Sequence, residues 1–132
     1  MDNIKVLLFV ESRYKLHRKR ITQTIETLLM QQNVVGLVEV SVAIVGDRKM
    51  RKLNKKYRNK DETTNVLSFP LSQGEAIAPS GARDKDVLRL GDIIMSYPQV
   101  IREAAKEEKL VDDKVSELVT HSMLHLLGIH HE

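Results

Sequence analysis

The apolar positions fall into two alternating rhythms. Residues 4–10 form an almost unbroken apolar run with β-branched members, which predicts a buried strand. Ile21, Ile25, Leu28 and Leu29 then recur at helical spacing. They predict an amphipathic helix over 13–31, capped by Glu11 or Ser12 and ending near Asn33. Val38, Val40, Val42 and Ile44 alternate, so 38–45 reads as a second strand, stopped at Gly46 with Asp47 as N-cap of the next helix. That helix, about 48–57, puts Met50, Leu53 and Tyr57 on one side. Residues 65–69 predict a short strand closed by Pro70. Residues 71–86 carry Gly74, Pro79 and Gly81 with little periodicity and read as a loop, a flap or mobile rim at that length.

A strand over 87–95 follows, with Gly91 inside it, either as a bulge or as a gap where substrate or another backbone comes close. Ser96-Tyr97-Pro98-Gln99 is a capping box with proline in the first turn, predicting a helix over 97–109. Asp112 and Asp113 open the last helix at its positive dipole end. Along that helix Val111, Val115, Leu118, Val119, Ser122 and Leu126 share one arc, with His121 and His125 at its edge. The order β-α-β-α-β-β-α-α predicts an α+β fold, helices packed on a mixed sheet, in a single domain spanning 1–132.

Composition changes this picture in three ways. At 132 residues the chain is long enough to bury one core without a staple. It has no cysteine, so disulfides and thiolate metal sites are excluded and a reducing compartment fits. The run Val6–Val10 is too short for a membrane span and follows Asp2 rather than a basic segment, so a cytoplasmic protein with no membrane partner is expected. The net charge is only +3, yet Arg48 to Lys60 holds eight Lys or Arg and no acid. Arg13, Lys15, Arg18, Lys19 and Arg20 form a second basic group. One such run is an ordinary solvated helix face; two of them make a nucleic-acid backbone a candidate partner. With two Phe, three Tyr and no Trp, an extensive base-stacking platform is not expected.

Four of the five histidines lie in the last twelve residues. His121 and His125 are four apart and project from one helical face. Gly128 stands where a residue without Cβ can end the helix in the left-handed conformation, so that His131 can fold back towards the two rings. The pattern H-x-x-x-H-x-x-G-x-x-H has metzincin spacing, but Ser122 replaces the glutamate that serves a metalloprotease as general base. Three neutral imidazoles suit Zn2+ ahead of nickel, copper or iron and leave a fourth position open, as in catalytic sites. His130 and Glu132 compete with His131 as ligands. Glu117, one turn before His121, either orients that ring or faces solvent.

Three further stretches accompany the histidines: Leu53-Asn54-Lys55-Lys56-Tyr57-Arg58, Thr64-Asn65-Val66-Leu67-Ser68-Phe69-Pro70 and Leu90-Gly91-Asp92-Ile93-Ile94. With His121-x-x-Leu124-His125-Leu126-x-Gly128-x-x-His131 they resemble, in order and spacing, the YbeY family of rRNA maturation factors. The resemblance implies a zinc-dependent, single-strand-specific endoribonuclease of bacterial ribosome assembly, acting at the 3′ end of 16S rRNA and in ribosome quality control. It also implies zincin-like packing, partners among rRNA and ribosomal proteins, and one zinc ion on His121, His125 and His131. Arg58 corresponds to the family's functionally important arginine. Lys52, Lys55 and Lys56 would hold the RNA backbone beside it. The family usually has glycine after the first histidine and aspartate before the third, where this chain has Ser122 and His130. Two other classes remain open: a non-catalytic, zinc-stiffened assembly factor, and a metalloprotease, which Ser122 disfavours.

Overall fold

The computed structural model describes residues 3–71, 83–84 and 87–129. The elements are β1 (Ile4–Val10), α1 (Arg18–Gln31), β2 (Leu37–Val45), α2 (Asp47–Arg58), β3 (Val66–Pro70), β4 (Arg83–Asp84), β5 (Val87–Ser96), α3 (Tyr97–Lys106) and α4 (Val111–Leu126). The fold is α+β with a mixed sheet, as the sequence predicts. The sheet runs β1-β2-β5-β3, with β4 also on β5. β1, β2 and β5 are parallel, and β3 and β4 pair antiparallel to β5.

Strand alternation decides which helix packs where. Val38, Val40, Val42 and Ile44 of β2 join Leu88, Leu90, Ile93 and Met95 of β5 in the main core, beneath α1 and α4. The opposite face is covered by α2, where Met50 packs with Val45 and Leu67. Farther along that face, Leu7, Phe9 and Leu37 stay exposed. The sheet is therefore a partition, with α4 on one side and the basic helix on the other.

Gly91 marks a bulge and a close approach of another backbone. Glu39 pairs with Arg89 but Val40 pairs with Gly91, so Leu90 is an extra residue and the register shifts. Gly91 also has φ +145°, and a Cβ there would lie 2.2 Å from the Phe69 carbonyl oxygen. The close approach is to the protein's own backbone.

Several boundaries differ from expectation. α1 starts at Arg18 rather than 13, because 14–16 are held by tertiary contacts instead of helical ones. Tyr14 stacks on Tyr97 with ring centroids 4.4 Å apart, and the Tyr97 hydroxyl donates to the Lys15 carbonyl at 2.6 Å. Neither Glu11 nor Ser12 caps it; His17 occupies that position. Asp47 is not the cap of α2 either. Gly46 takes that place, while Asp47 Oδ1 accepts from Ser96, Thr63 and Gln99 and Oδ2 accepts from Arg102 at 3.0 Å. Burial alone would raise the Asp47 pKa, but these hydrogen bonds together lower it.

Pro70 is the last residue of β3 rather than a stop beyond it, and an edge strand tolerates it there. The stretch read as a loop contains β4, whose two residues are too few for any hydropathy period to reveal; 72–82 and 85–86 lie outside the described residues. α3 ends at Lys106, three residues early, where Lys109 N–H bonds the Ala104 carbonyl at 2.8 Å and Glu108 takes φ 56°.

Lys114, 5 % exposed, is a buried cation that the apolar pattern does not announce. Its Nζ meets Glu107 and Glu117, tying α3 to α4, and Glu117 also takes a hydrogen bond from Lys109. Glu117 is thus engaged away from the His121 role that the sequence left open. Hydrogen bonds from Lys109, then Lys114, hold its carboxyl at about 2. A carboxyl lowered on folding contributes stability above its unfolded value, near 4.5, that fades as pH falls through about 2. Glu117→Gln is expected to weaken the acid dependence of the urea midpoint in that window, read by circular dichroism. The effect is modest because the side chain is 33 % exposed.

Candidate functional site

The helix that carries the histidines is built to show them. Along α4, Val115, Leu118, Val119, Ser122, Met123 and Leu126 are buried, and His121 and His125 are exposed on the adjoining face. One turn separates them, placing their Cβ atoms about 5–6 Å apart. Ser122 is 4 % exposed, so the position of the protease glutamate holds a small buried hydroxyl.

The helix ends as the glycine implies. Gly128 takes φ +75°, its N–H bonds the His125 carbonyl at 3.0 Å, and Ile129 N–H bonds the Leu124 carbonyl at 2.9 Å. Ile129 packs back on the main core, which turns the chain sharply after the last turn. His130, His131 and Glu132 lie outside the described residues.

Ser68 is the neighbour that sequence reasoning missed as an individual residue. It faces α4 from β3, and its Oγ lies 2.6 Å from His125 Nδ1. If Nδ1 carries the proton and donates to Ser68, Nε2 is left as a free lone pair pointing away from the strand. Two exposed imidazoles, one of them oriented by a hydroxyl, form a donor set that fits a borderline metal. Among the described residues no three His, Cys, Asp or Glu side chains converge; His121 and His125 are the pair that this face presents.

The same strand forms a wall of a second feature. Val66 and Leu67, just before Ser68, line a small hollow of about 160 Å³ together with Asn54, Arg58, Lys60 and Thr63. Arg58 stands at the C-terminal end of α2, exposed. Asn54, only 3 % exposed, fixes the turn beneath it: its amide donates to the Glu62 carbonyl at 2.9 Å, and Asn59 adopts φ 57° to end the helix. Asn54 falls four residues after the buried Met50, and a lone amide on an apolar helix side is the signal that could have found it. β3 thus touches His125 through Ser68 and bounds the Arg58 hollow one residue earlier.

The rest of α2 is cationic. Lys52, Lys55 and Lys56 are exposed, whereas Arg51 is paired with Asp61 at 2.8 Å. Tyr57 packs on Phe69 with the rings tilted 58° and centroids 5.1 Å apart, joining α2 to β3. Among the described residues no helix is long and apolar enough to cross a membrane.

Comparison with known proteins places the chain in a family. The family model described as endoribonuclease YbeY matches residues 9–132. An endoribonuclease YbeY from Acinetobacter baumannii is 36% identical over 124 residues, covering 94% of this chain and 76% of the relative. One from Bartonella quintana is 39% identical over 119 residues, covering 90% and 70%. One from Caldanaerobacter subterraneus is 40% identical over 115 residues, covering 85% and 73%. A solution structure of a Thermotoga maritima protein shares the fold, with TM-score 0.60 at 24% identity over 96% of this chain and 75% of that one.

Proposed function

The chain belongs to the endoribonuclease YbeY family, and from that premise we propose that it is a metal-dependent, single-strand-specific endoribonuclease. The observation that carries this reading is the pair of exposed imidazoles on α4, one oriented by Ser68, on the strand that also bounds the Arg58 hollow. His121, His125 and His131 would hold one Zn2+. Bound there, zinc supplies Lewis acidity, making water nucleophilic near neutral pH and polarising a phosphoryl oxygen.

The chain's own residues do the rest. Ser68 keeps the His125 ring aligned, and by accepting from Nδ1–H it would leave Nε2 for the metal. Arg58 sets a fixed positive charge where a phosphodiester gains negative charge on attack. Lys52, Lys55 and Lys56 hold the RNA backbone, giving salt-sensitive binding with little base information. In the family's setting this activity is directed at the 3′ end of 16S rRNA and at ribosome quality control, in the cytoplasm, with rRNA and ribosomal proteins as partners.

Arg58→Glu tests the division of labour. Arg58 touches no ligand histidine in the described residues, and its reversal should leave metal content at the wild-type level. Cleavage of a labelled single-stranded RNA should fall by about a hundredfold or more, the scale of a lost transition-state charge contact. Wild-type cleavage by Arg58→Glu would remove the residue from the mechanism. A scaffold without catalysis predicts instead that highly purified protein, with metal bound, leaves the RNA intact.

A further inference from the structure

The basic helix has two ends, and the proposed chemistry uses only one. At the N-terminal end of α2 a hollow of about 450 Å³ is lined by Arg13, Tyr14, Arg48, Lys49 and Lys52. This falls within the roughly 300–1,000 Å³ of ligand clefts. Two acids, Glu11 and Asp47, share the wall, but their charges are already engaged. Glu11 Oε1 pairs with Arg13 at 3.4 Å, and its Oε2 accepts the Gly46 N–H at 3.1 Å. Asp47 pairs with Arg102 at 3.0 Å. Arg48, Lys49 and Lys52 are exposed and make no ion pair among the described residues.

The wall is also preorganised. Arg13 donates to the Tyr14 hydroxyl at 3.0 Å, and Tyr14 is fixed by its stack on Tyr97. A Cβ on Gly46 would lie 2.8 Å from that hydroxyl and 3.2 Å from the Arg13 guanidinium, so the pair rests directly against the start of α2. From this hollow Arg48, Lys52 and Lys55 follow at i, i+4 and i+7 as one exposed ridge. The ridge leads towards Arg58, about 15 Å away at 1.5 Å per residue.

We propose that the hollow is a second phosphate-binding site for the single-stranded RNA that reaches Arg58, with α2 as a rail between them. The inference rests on the endoribonuclease reading for the identity of the strand. Its chemistry is that of phosphodiester oxygens met by guanidinium and ammonium groups, with no base readout. It adds a contact a few nucleotides from the cleavage point, which would make affinity depend on RNA length.

The test is fluorescence anisotropy with a labelled single-stranded RNA of roughly 12 nucleotides, titrated with full-length, metal-loaded protein over a range of salt. Arg48→Ala/Lys49→Ala should weaken binding about tenfold and reduce the slope of log K against log salt by about 1.4, at about 0.7 per lost phosphate contact. Lys5→Ala/Lys106→Ala, which removes the same charge from exposed positions elsewhere, should change neither. If wild-type protein binds the RNA and both double variants match each other in affinity and slope, the hollow is not a site. If wild-type protein neither binds nor cuts RNA, the endoribonuclease reading fails first and this inference falls with it.

Discussion

His121→Ala should abolish RNA cleavage and metal retention together. Removing one of the three proposed imidazoles would leave at most two of that set, too few for the closed side of a tetrahedral site. His121 is exposed on α4 and makes no contribution to the core, so the variant should fold and melt like the wild type. Alanine is also the better helix former, which removes the usual ambiguity between a dead enzyme and an unfolded one. The expected loss of cleavage is about a thousandfold or greater, at the level where metal-assisted hydrolysis disappears. Elemental analysis of the dialysed variant should find no bound zinc. Activity that persists in His121→Ala would belong to a contaminating nuclease or to another site.

Gly91→Ala carries the largest expected cost to stability. A φ of +145° is open to glycine and strained for any L side chain, at about 1–3 kcal/mol. The added Cβ would meet the Phe69 carbonyl oxygen at 2.2 Å and Leu126 Cδ2 at 2.9 Å. Leu126 can swing aside, but the Phe69 backbone is held in its ladder with Asp92. Something must shift in β3, the strand that carries Ser68 to His125 and bounds the Arg58 hollow. A loss of more than about 3 kcal/mol is expected, and with it weaker retention of the proposed zinc, because a shift of β3 displaces Ser68 from His125. An unchanged urea midpoint would show that the bulge relaxes without involving β3.

The fold was legible because its signals are periodic. The 2-residue alternation in β2 and the helical spacing of Ile21, Ile25, Leu28 and Leu29 each name a buried face. What stayed hidden was tertiary. Tyr14 could not be seen to leave α1, because Tyr97, its stacking partner, lies far along the chain. Asp47 looked like a cap since its chemistry suits one, yet four donors from Thr63 and beyond claimed its carboxylate. Lys114 broke the apolar arc of α4 without warning, because burial of a cation depends on where Glu107 and Glu117 stand.

At the site, the spacing of His121 and His125 and the helix stop at Gly128 were readable from local rules alone. Arg58 was one cation among eight, and only the resemblance singled it out. Its setting beside Asn54 and β3 gives that choice a physical context. Ser68 was present in the motif but mute, since a hydroxyl on an alternating strand has no pattern that announces its partner. The third histidine of the proposed set, His131, lies outside the described residues, so the two described imidazoles carry the geometric part of the argument.

The most direct measurement is metal titration into chelator-stripped protein while cleavage of a single-stranded RNA is followed. The account predicts negligible cleavage by the stripped protein and a rise in rate that saturates at one zinc per chain, absent in His121→Ala. Full-rate cleavage by the stripped protein, or no cleavage at any zinc level, would contradict a zinc-dependent site on α4.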